Sequence, residues 1–158
     1  MEYVKLGNTG LTVSRLCFGG LIIGPLQANL TPREGAEVIA KALELGVNFI
    51  DTAELYGTYE HIRLAVKKYG KRPVVATKSY AYSAEGAAKS LEKARKELDM
   101  DVIDIFLLHE QESRLTLRGH REALEFYLSE KAKGRIKAVG VSTHNIEVVE
   151  ACARMPEV

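Results

Sequence analysis

Four polar residues lie where short apolar runs end. Asp51 closes Val47-Asn48-Phe49-Ile50, and Tyr56 follows in the same loop. Lys78 closes Val74-Val75-Ala76-Thr77, and His109 closes Ile103-Asp104-Ile105-Phe106-Leu107-Leu108. A carboxylate, a phenol, an amine and an imidazole brought to one face can move a proton to or from an oxygen. Singly, each has a plainer fate. Asp51 could cap a turn, Tyr56 could be a loop aromatic, Lys78 a solvated lysine and His109 a hydrogen-bonded core imidazole. Their common place at successive run ends makes a joint catalytic role the expectation.

Those positions matter only if the elements behind them form one scaffold. Short runs rich in Val, Ile and Phe, separated by helical stretches, are the pattern of buried parallel strands. The first residues differ: Tyr3–Leu6, a turn at Gly7–Gly10 and Leu11–Val13 predict a hairpin. Arg15–Phe18 is the first strand of the repeating part, ended by Gly19 and Gly20, which would allow close backbone approach or a plain turn. A helix from Thr31 to about Leu45 follows, with Thr31 as N-cap, Pro32 at the first position, Glu34 closing a capping box and Gly46 as the stop. Further strands are expected at 47–50, 74–77, 102–108 and 136–141. Helices are expected at about 59–68, 84–98, 119–132 and 145–154, with Ser83 capping the second of these. Units of strand then helix, about 30 residues apart, imply a parallel sheet with right-handed crossovers.

An open doubly wound sheet and a (β/α)8 TIM barrel both satisfy that pattern. No GxGxxG follows the first strand, where the sequence is Gly19-Gly20-Leu21-Ile22-Ile23-Gly24. The chemical residues follow several successive strands, as in a barrel, whose active site lies at the strand C-termini. A barrel typically takes ~250 residues, whereas this chain has 158. It therefore accounts for about the first five βα units after the hairpin. The expectation is that residues 1–158 are the N-terminal portion of one barrel domain, the remainder lying outside this chain.

Composition narrows the classes further. Hydrophobic residues make up 46% and charged ones 27%, ordinary for a soluble domain. A net charge of +1 gives no reason to expect nucleic acid or a membrane surface as partner. No apolar run approaches the ~20 residues that span a bilayer. Met1–Lys5 lacks the apolar core of a signal peptide, so a cytoplasmic protein is expected. Cys17 and Cys152 are the only cysteines; both are expected to be buried and reduced. No Cys/His spacing suggests a metal site. His61, His120 and His144 are expected to be structural or exposed, and Lys67–Arg72 to be a solvated helix end. Tyr80 and Tyr82 would line a pocket or cover its rim, and Glu110, Gln111 and Glu112 would shape its entrance.

At the level of motifs, the chain resembles the aldo-keto reductase family. Asn48-Phe49-Ile50-Asp51-Thr52-Ala53-Glu54-Leu55-Tyr56-Gly57 is similar to the family signature around its catalytic Asp and Tyr. Ala76-Thr77-Lys78 resembles the strand end with its catalytic Lys, and Asp104–His109 the segment ending in its catalytic His. The hairpin and Lys133–Ser142 are similar too, in the same order and spacing along essentially the whole chain.

The resemblance implies a (β/α)8 barrel that reduces aldehydes or ketones, or runs the reverse reaction, with a nicotinamide cofactor, usually NADPH. It implies Tyr56 as proton donor to the carbonyl oxygen, with Lys78 making the phenol a readier acid. Asp51 would pair with Lys78, and His109 would orient the carbonyl. Asp51 and Thr52 would border the nicotinamide ribose, Gly20 would let backbone approach the cofactor, and Ser142 would bind the carboxamide. Thr143 stands where many members have Asn, as in a bacterial and archaeal subset. The partner implied is a small carbonyl substrate. A cofactor-holding regulatory subunit of the same fold is the alternative. A Schiff-base role for Lys78 is disfavoured by Asp51, which favours the charged amine. An open partial barrel would expose strand edges, so the chain alone is expected to be inactive and prone to associate through them.

Overall fold

The computed structural model describes residues 1–158. After an N-terminal hairpin of two strands, five strands alternate with six α-helices. β1 (Tyr3–Lys5) and β2 (Thr12–Ser14) form that hairpin, antiparallel, with Val4 opposite Val13. β3 (Phe18–Gly19), β4 (Phe49–Asp51), β5 (Val74–Ser79), β6 (Ile103–Leu108) and β7 (Ile136–Val141) form one parallel sheet. Its spatial order is the chain order, β3-β4-β5-β6-β7. A doubly wound sheet reverses its order at a switch point; this one never does, which makes it the first five strands of a TIM barrel.

α1 (Pro32–Glu44), α2 (Tyr59–Tyr69), α3 (Ala84–Leu98), α4 (Arg114–Gly119), α5 (Arg121–Ala132) and α6 (Ile146–Cys152) pack on one face. Ile39, Ile50, Ile62, Leu91, Phe106 and Tyr127, each with no exposed surface, hold that layer to the sheet. On the concave face Ala76, Ile105 and Ala138 meet Leu11 from the hairpin, which lies across the base of the sheet. Asn48 fastens it there: its Oδ1 accepts from Ser14 N at 2.6 Å, its N–H donates to Ser14 Oγ at 3.1 Å, and its Nδ2 donates to Thr12 O at 3.1 Å.

The expected α1 is present with its capping box closed between Thr31 and Glu34. The expected α3 and β7 have the bounds 84–98 and 136–141. Three differences bear on the site. The first barrel strand is Phe18–Gly19 rather than 15–18, because Ser14 Oγ donates to Leu16 O at 2.6 Å and turns the chain before it can pair. Asp51 and Lys78 lie within their strands, since the ladder runs on through Asp51↔Ala76 and Lys78↔Leu107 to Ser79↔Leu108. A separate α4 precedes α5, capped by Ser113 and Thr116 in a reciprocal box.

The charge run at the end of α2 is not simply solvated. Lys68 pairs with Glu37 and Lys67 with Asp99. Arg72 reaches the fully buried Asp104 carboxylate on β6, with Nη1 3.0 Å from Oδ1 and Nη2 2.9 Å from Oδ2. Lys137 Nζ donates to Oδ1 at 2.7 Å, and Val75 N donates to Oδ2 at 3.1 Å. A carboxylate inside an apolar strand is tolerated when it is paired and hydrogen-bonded on all sides. His61 is structural: it is buried, with Nε2 3.0 Å from Leu30 O, and Gly35 on α1 leaves room for its ring.

Candidate active site

The C-terminal ends of β4, β5 and β6 bring the four residues together. Asp51 ends β4, Lys78 is the fifth residue of β5, and His109 directly follows β6. Tyr56 arrives on a single 3-10 turn, Glu54–Tyr56, between β4 and α2. Lys78 is almost wholly buried, and its ammonium donates to Asp51 Oδ2 and to Thr52 O, both at 2.8 Å. Its third direction faces Tyr56, with the phenol oxygen 3.5 Å away and the ring centroid 4.8 Å away. That separation is long for a hydrogen bond, so the tie to Tyr56 is chiefly electrostatic.

The His109 imidazole is held by neighbouring rings rather than by hydrogen bonds. Tyr80 stacks on it at 4.4 Å, and Tyr56 meets it edge-on at 5.6 Å. Its Nδ1 is buried without a partner in the chain. Burial, and next the facing Lys78 ammonium, hold the imidazole below its ordinary value of 6.5, with Glu110 and Asp51 opposing. The ring is therefore neutral near neutrality, with one N–H to offer a carbonyl oxygen.

Just below pH 6.5 the unfolded chain takes up a proton at this histidine that the folded chain refuses, so stability falls as the pH drops into that window and is unaffected above it. The thermal midpoint of the wild type is expected to drop faster on acidification than that of a His109→Gln variant. Parallel curves would contradict the buried neutral ring.

Tyr80 forms the rim. Its phenol donates to Glu110 and is pushed up to about 12, first by desolvation and next by that carboxylate. Glu110 has left-handed backbone, φ 43°, and its other oxygen lies 3.7 Å from His144. Tyr82 is exposed and meets His120 edge-on. Behind Tyr80 a cleft of about 570 Å³ runs between Glu54, Leu55, Ser79, Lys89 and Lys93; it includes none of the four central residues. A smaller polar pocket of about 300 Å³ is lined by Glu110, Gln111, Glu112, His144 and Asn145.

The remaining candidates sit beside this centre. Gly20 is buried, and a Cβ built on it would lie 3.1 Å from Asp51 O. Thr52 is buried and gives its carbonyl to Lys78. Ser142 follows β7 and is fixed by its backbone, donating to Leu108 O at 2.8 Å and accepting from Gln111 N at 2.7 Å. Thr143 donates its hydroxyl to Gln111 O at 2.5 Å and accepts from Asn145 N at 2.9 Å. Gln111 was expected only at the entrance. It is in fact 1% exposed, with Nε2 on His109 O at 3.0 Å and Oε1 unpartnered.

Cys17 departs from expectation. It is exposed, near Asp51, and Cys152 is half-buried. The Cys17 thiol is open to water yet flanked by protein, and desolvation followed by the Asp51 charge pushes it up to about 11. No group of three His, Cys, Asp or Glu side chains is arranged to hold a metal ion. No helix is long and apolar enough to cross a membrane.

Known proteins share this arrangement. Residues 15–158 match the Aldo/keto reductase family. The chain is 30% identical to aldo-keto reductase YhdN of Bacillus subtilis, over 95% of this chain and 49% of that protein. It is 28% identical to L-galactose dehydrogenase of Arabidopsis thaliana, over 90% of this chain and 48% of that one. A thermostable aldo-keto reductase solved with the inhibitor epalrestat superposes with a TM-score of 0.82 at 28% identity, covering 100% of this chain and 60% of that structure. The chain thus spans about half the length of these curated relatives. With fold and sequence in agreement along nearly all its length, the chain belongs to the aldo/keto reductase family.

Proposed function

We propose that the protein of which these five βα units form part is an oxidoreductase that interconverts a small aldehyde or ketone and its alcohol, with NADPH as cofactor. The observation that carries this reading is the buried Lys78 ammonium, bound by Asp51 and Thr52 and turned to the Tyr56 phenol. The residues present fit the nicotinamide end of such a cofactor. Asp51 binds Lys78 through Oδ2 while its side chain remains 37% exposed, open to a ribose hydroxyl. Ser142 would take the carboxamide, beside the buried, unpartnered Oε1 of Gln111. Gly20, Thr52 and Thr143 would complete that wall. The bound cofactor supplies the hydride.

The chain's own residues supply the rest. As charge builds on the carbonyl oxygen, Tyr56 gives it a proton. The Lys78 ammonium offsets the negative charge left on the Tyr56 oxygen, and Asp51 holds that ammonium in place. Neutral His109 offers an N–H to the same oxygen and orients it. Tyr80 cannot take over as the acid: its phenol is pushed up to about 12 and its proton is engaged by Glu110.

The test is a steady-state assay of the complete protein with NADPH and a panel of small aldehydes. Aldehyde-dependent oxidation of NADPH is expected. Tight NADPH binding without turnover on any substrate would replace this reading with that of a cofactor-holding subunit. Borohydride trapping of a substrate on Lys78 would replace it with Schiff-base chemistry.

A further inference from the structure

Lys78 is positioned by one eight-residue segment. Asp51 Oδ2, Thr52 O and Tyr56 OH, the three oxygens around its ammonium, all belong to Asp51–Thr58. The ends of that segment are tied to each other by a buried hydroxyl pair, Thr52 Oγ1 to Thr58 Oγ1 at 2.8 Å. Thr58 stands at the N-cap of α2, where a threonine hydroxyl ordinarily accepts from the first turn of its helix. Here it makes no capping bond and is spent on Thr52 instead. Forgoing a cap weakens a helix start, so the pair has a different use.

The outer side of the segment is braced as tightly. The 3-10 turn Gly20–Ile23 and Gly24 press against it. A Cβ on Gly24 would meet Tyr56 O at 2.6 Å and Thr58 Cγ2 at 2.7 Å. A Cβ on Gly20 would lie 3.1 Å from Asp51 O and 3.3 Å from Thr58 Oγ1. Gly24 has φ −82° and ψ 178°, extended backbone that any residue adopts. Glycine is needed there for its missing side chain, not for its flexibility. Thr58 touches both braces, and both residues of the tie, Thr52 and Thr58, are fully buried.

We propose that Thr58 is a positioning residue: through Thr52 and Gly24 it sets where the Lys78 ammonium and the Tyr56 phenol sit. The proposal rests on the reading of Tyr56 as proton donor. Small displacements of reacting groups cost up to ~10²-fold in rate. In the complete protein, Thr58→Val keeps the methyl against Gly24 and removes the hydroxyl. It is expected to lower kcat for aldehyde reduction about tenfold. KM for aldehyde and affinity for NADPH should stay within about twofold, since only placement at the reacting oxygen is lost.

Thr58→Ser, which keeps the hydroxyl, should restore kcat. Gly24→Ala disturbs the same contact from the other side and should lower kcat with KM kept, as Thr58→Val does; it decides the matter if Thr58→Val does not fold. A role confined to stability would lower the melting temperature and leave kcat of the folded enzyme in place, and that result overturns the proposal. So does a serine variant as impaired as the valine one. Tyr56→Phe serves as control: if it is inactive while Thr58→Val behaves as wild type, positioning alone is refuted. If Tyr56→Phe turns over normally, the proton-donor reading falls and takes the proposal with it.

Discussion

Tyr56→Phe in the complete protein is expected to lower kcat by about 10²–10⁴-fold, the usual worth of a general acid, while NADPH affinity stays near wild type. The change removes one oxygen from a half-buried ring whose edge contact with His109 is kept. The fold should tolerate it, because that oxygen lies 3.5 Å from Lys78 and carries no close bond. Two groups could substitute as donor. His109 has a neutral ring with a single N–H to share, which explains why a residue of activity should remain. Tyr80 stacks on His109, but its proton is held by Glu110. Tyr80→Phe should therefore cost far less than Tyr56→Phe. Stopped-flow measurement of the reduction step in both variants separates them. Equal losses, or an unimpaired Tyr56→Phe, would remove Tyr56 from its assigned role.

What the sequence revealed of this site depended on the kind of signal. Strand ends were legible because buried parallel strands are continuous apolar runs, and the residue that breaks each run stands out. Asp51, Lys78 and His109 were found that way, although the ladder carries the first two inside their strands. α1 was legible through Thr31, Pro32 and Glu34, whose capping chemistry is local. α4 was not, because its box closes with Thr116 in place of the usual Glu or Gln. The 3-10 turn that presents Tyr56 is three residues long, too short to leave a period.

Thr58 and Gly24 were missed, and Gln111 was read only as an entrance residue, for a different reason. Their roles are contacts between loops distant in sequence, and no local pattern reports those. Cys17 misled because its neighbours Leu16 and Phe18 are apolar. Cys17, however, precedes β3, and it lies exposed near Asp51 rather than buried. Asp104 did carry a signal. A charged residue inside Ile103-Asp104-Ile105-Phe106 must find partners or break the strand, and Arg72 and Lys137 are those partners.

That cluster yields the largest expected effect on stability. Asp104→Ala is expected to lower the unfolding free energy of the complete protein by about 2–4 kcal/mol, below the full penalty for breaking a buried ion pair. The reduction follows from exposure. Asp104 is fully buried, but Arg72 and Lys137 are 38% and 46% exposed, so water can take back the two cations. The Val75 N–H cannot be served so easily, because it lies inside the sheet and its acceptor is gone. Asp104→Asn keeps an acceptor for Val75 and gives up the charge, so it should lose less than the alanine variant. Arg72→Met or Lys137→Met should lose less again, each leaving the carboxylate one cation and the backbone donor. Urea denaturation of the four variants tests that order, and an alanine variant within about 0.5 kcal/mol of wild type would show the cluster to be inert. Asp104 is the second residue of β6 and His109 follows its last, so about 16 Å of strand separates the cluster from the reacting centre. Turnover by the folded fraction should therefore be unchanged, which would divide the barrel strand into a base that holds the sheet together and an end that carries the proposed chemistry.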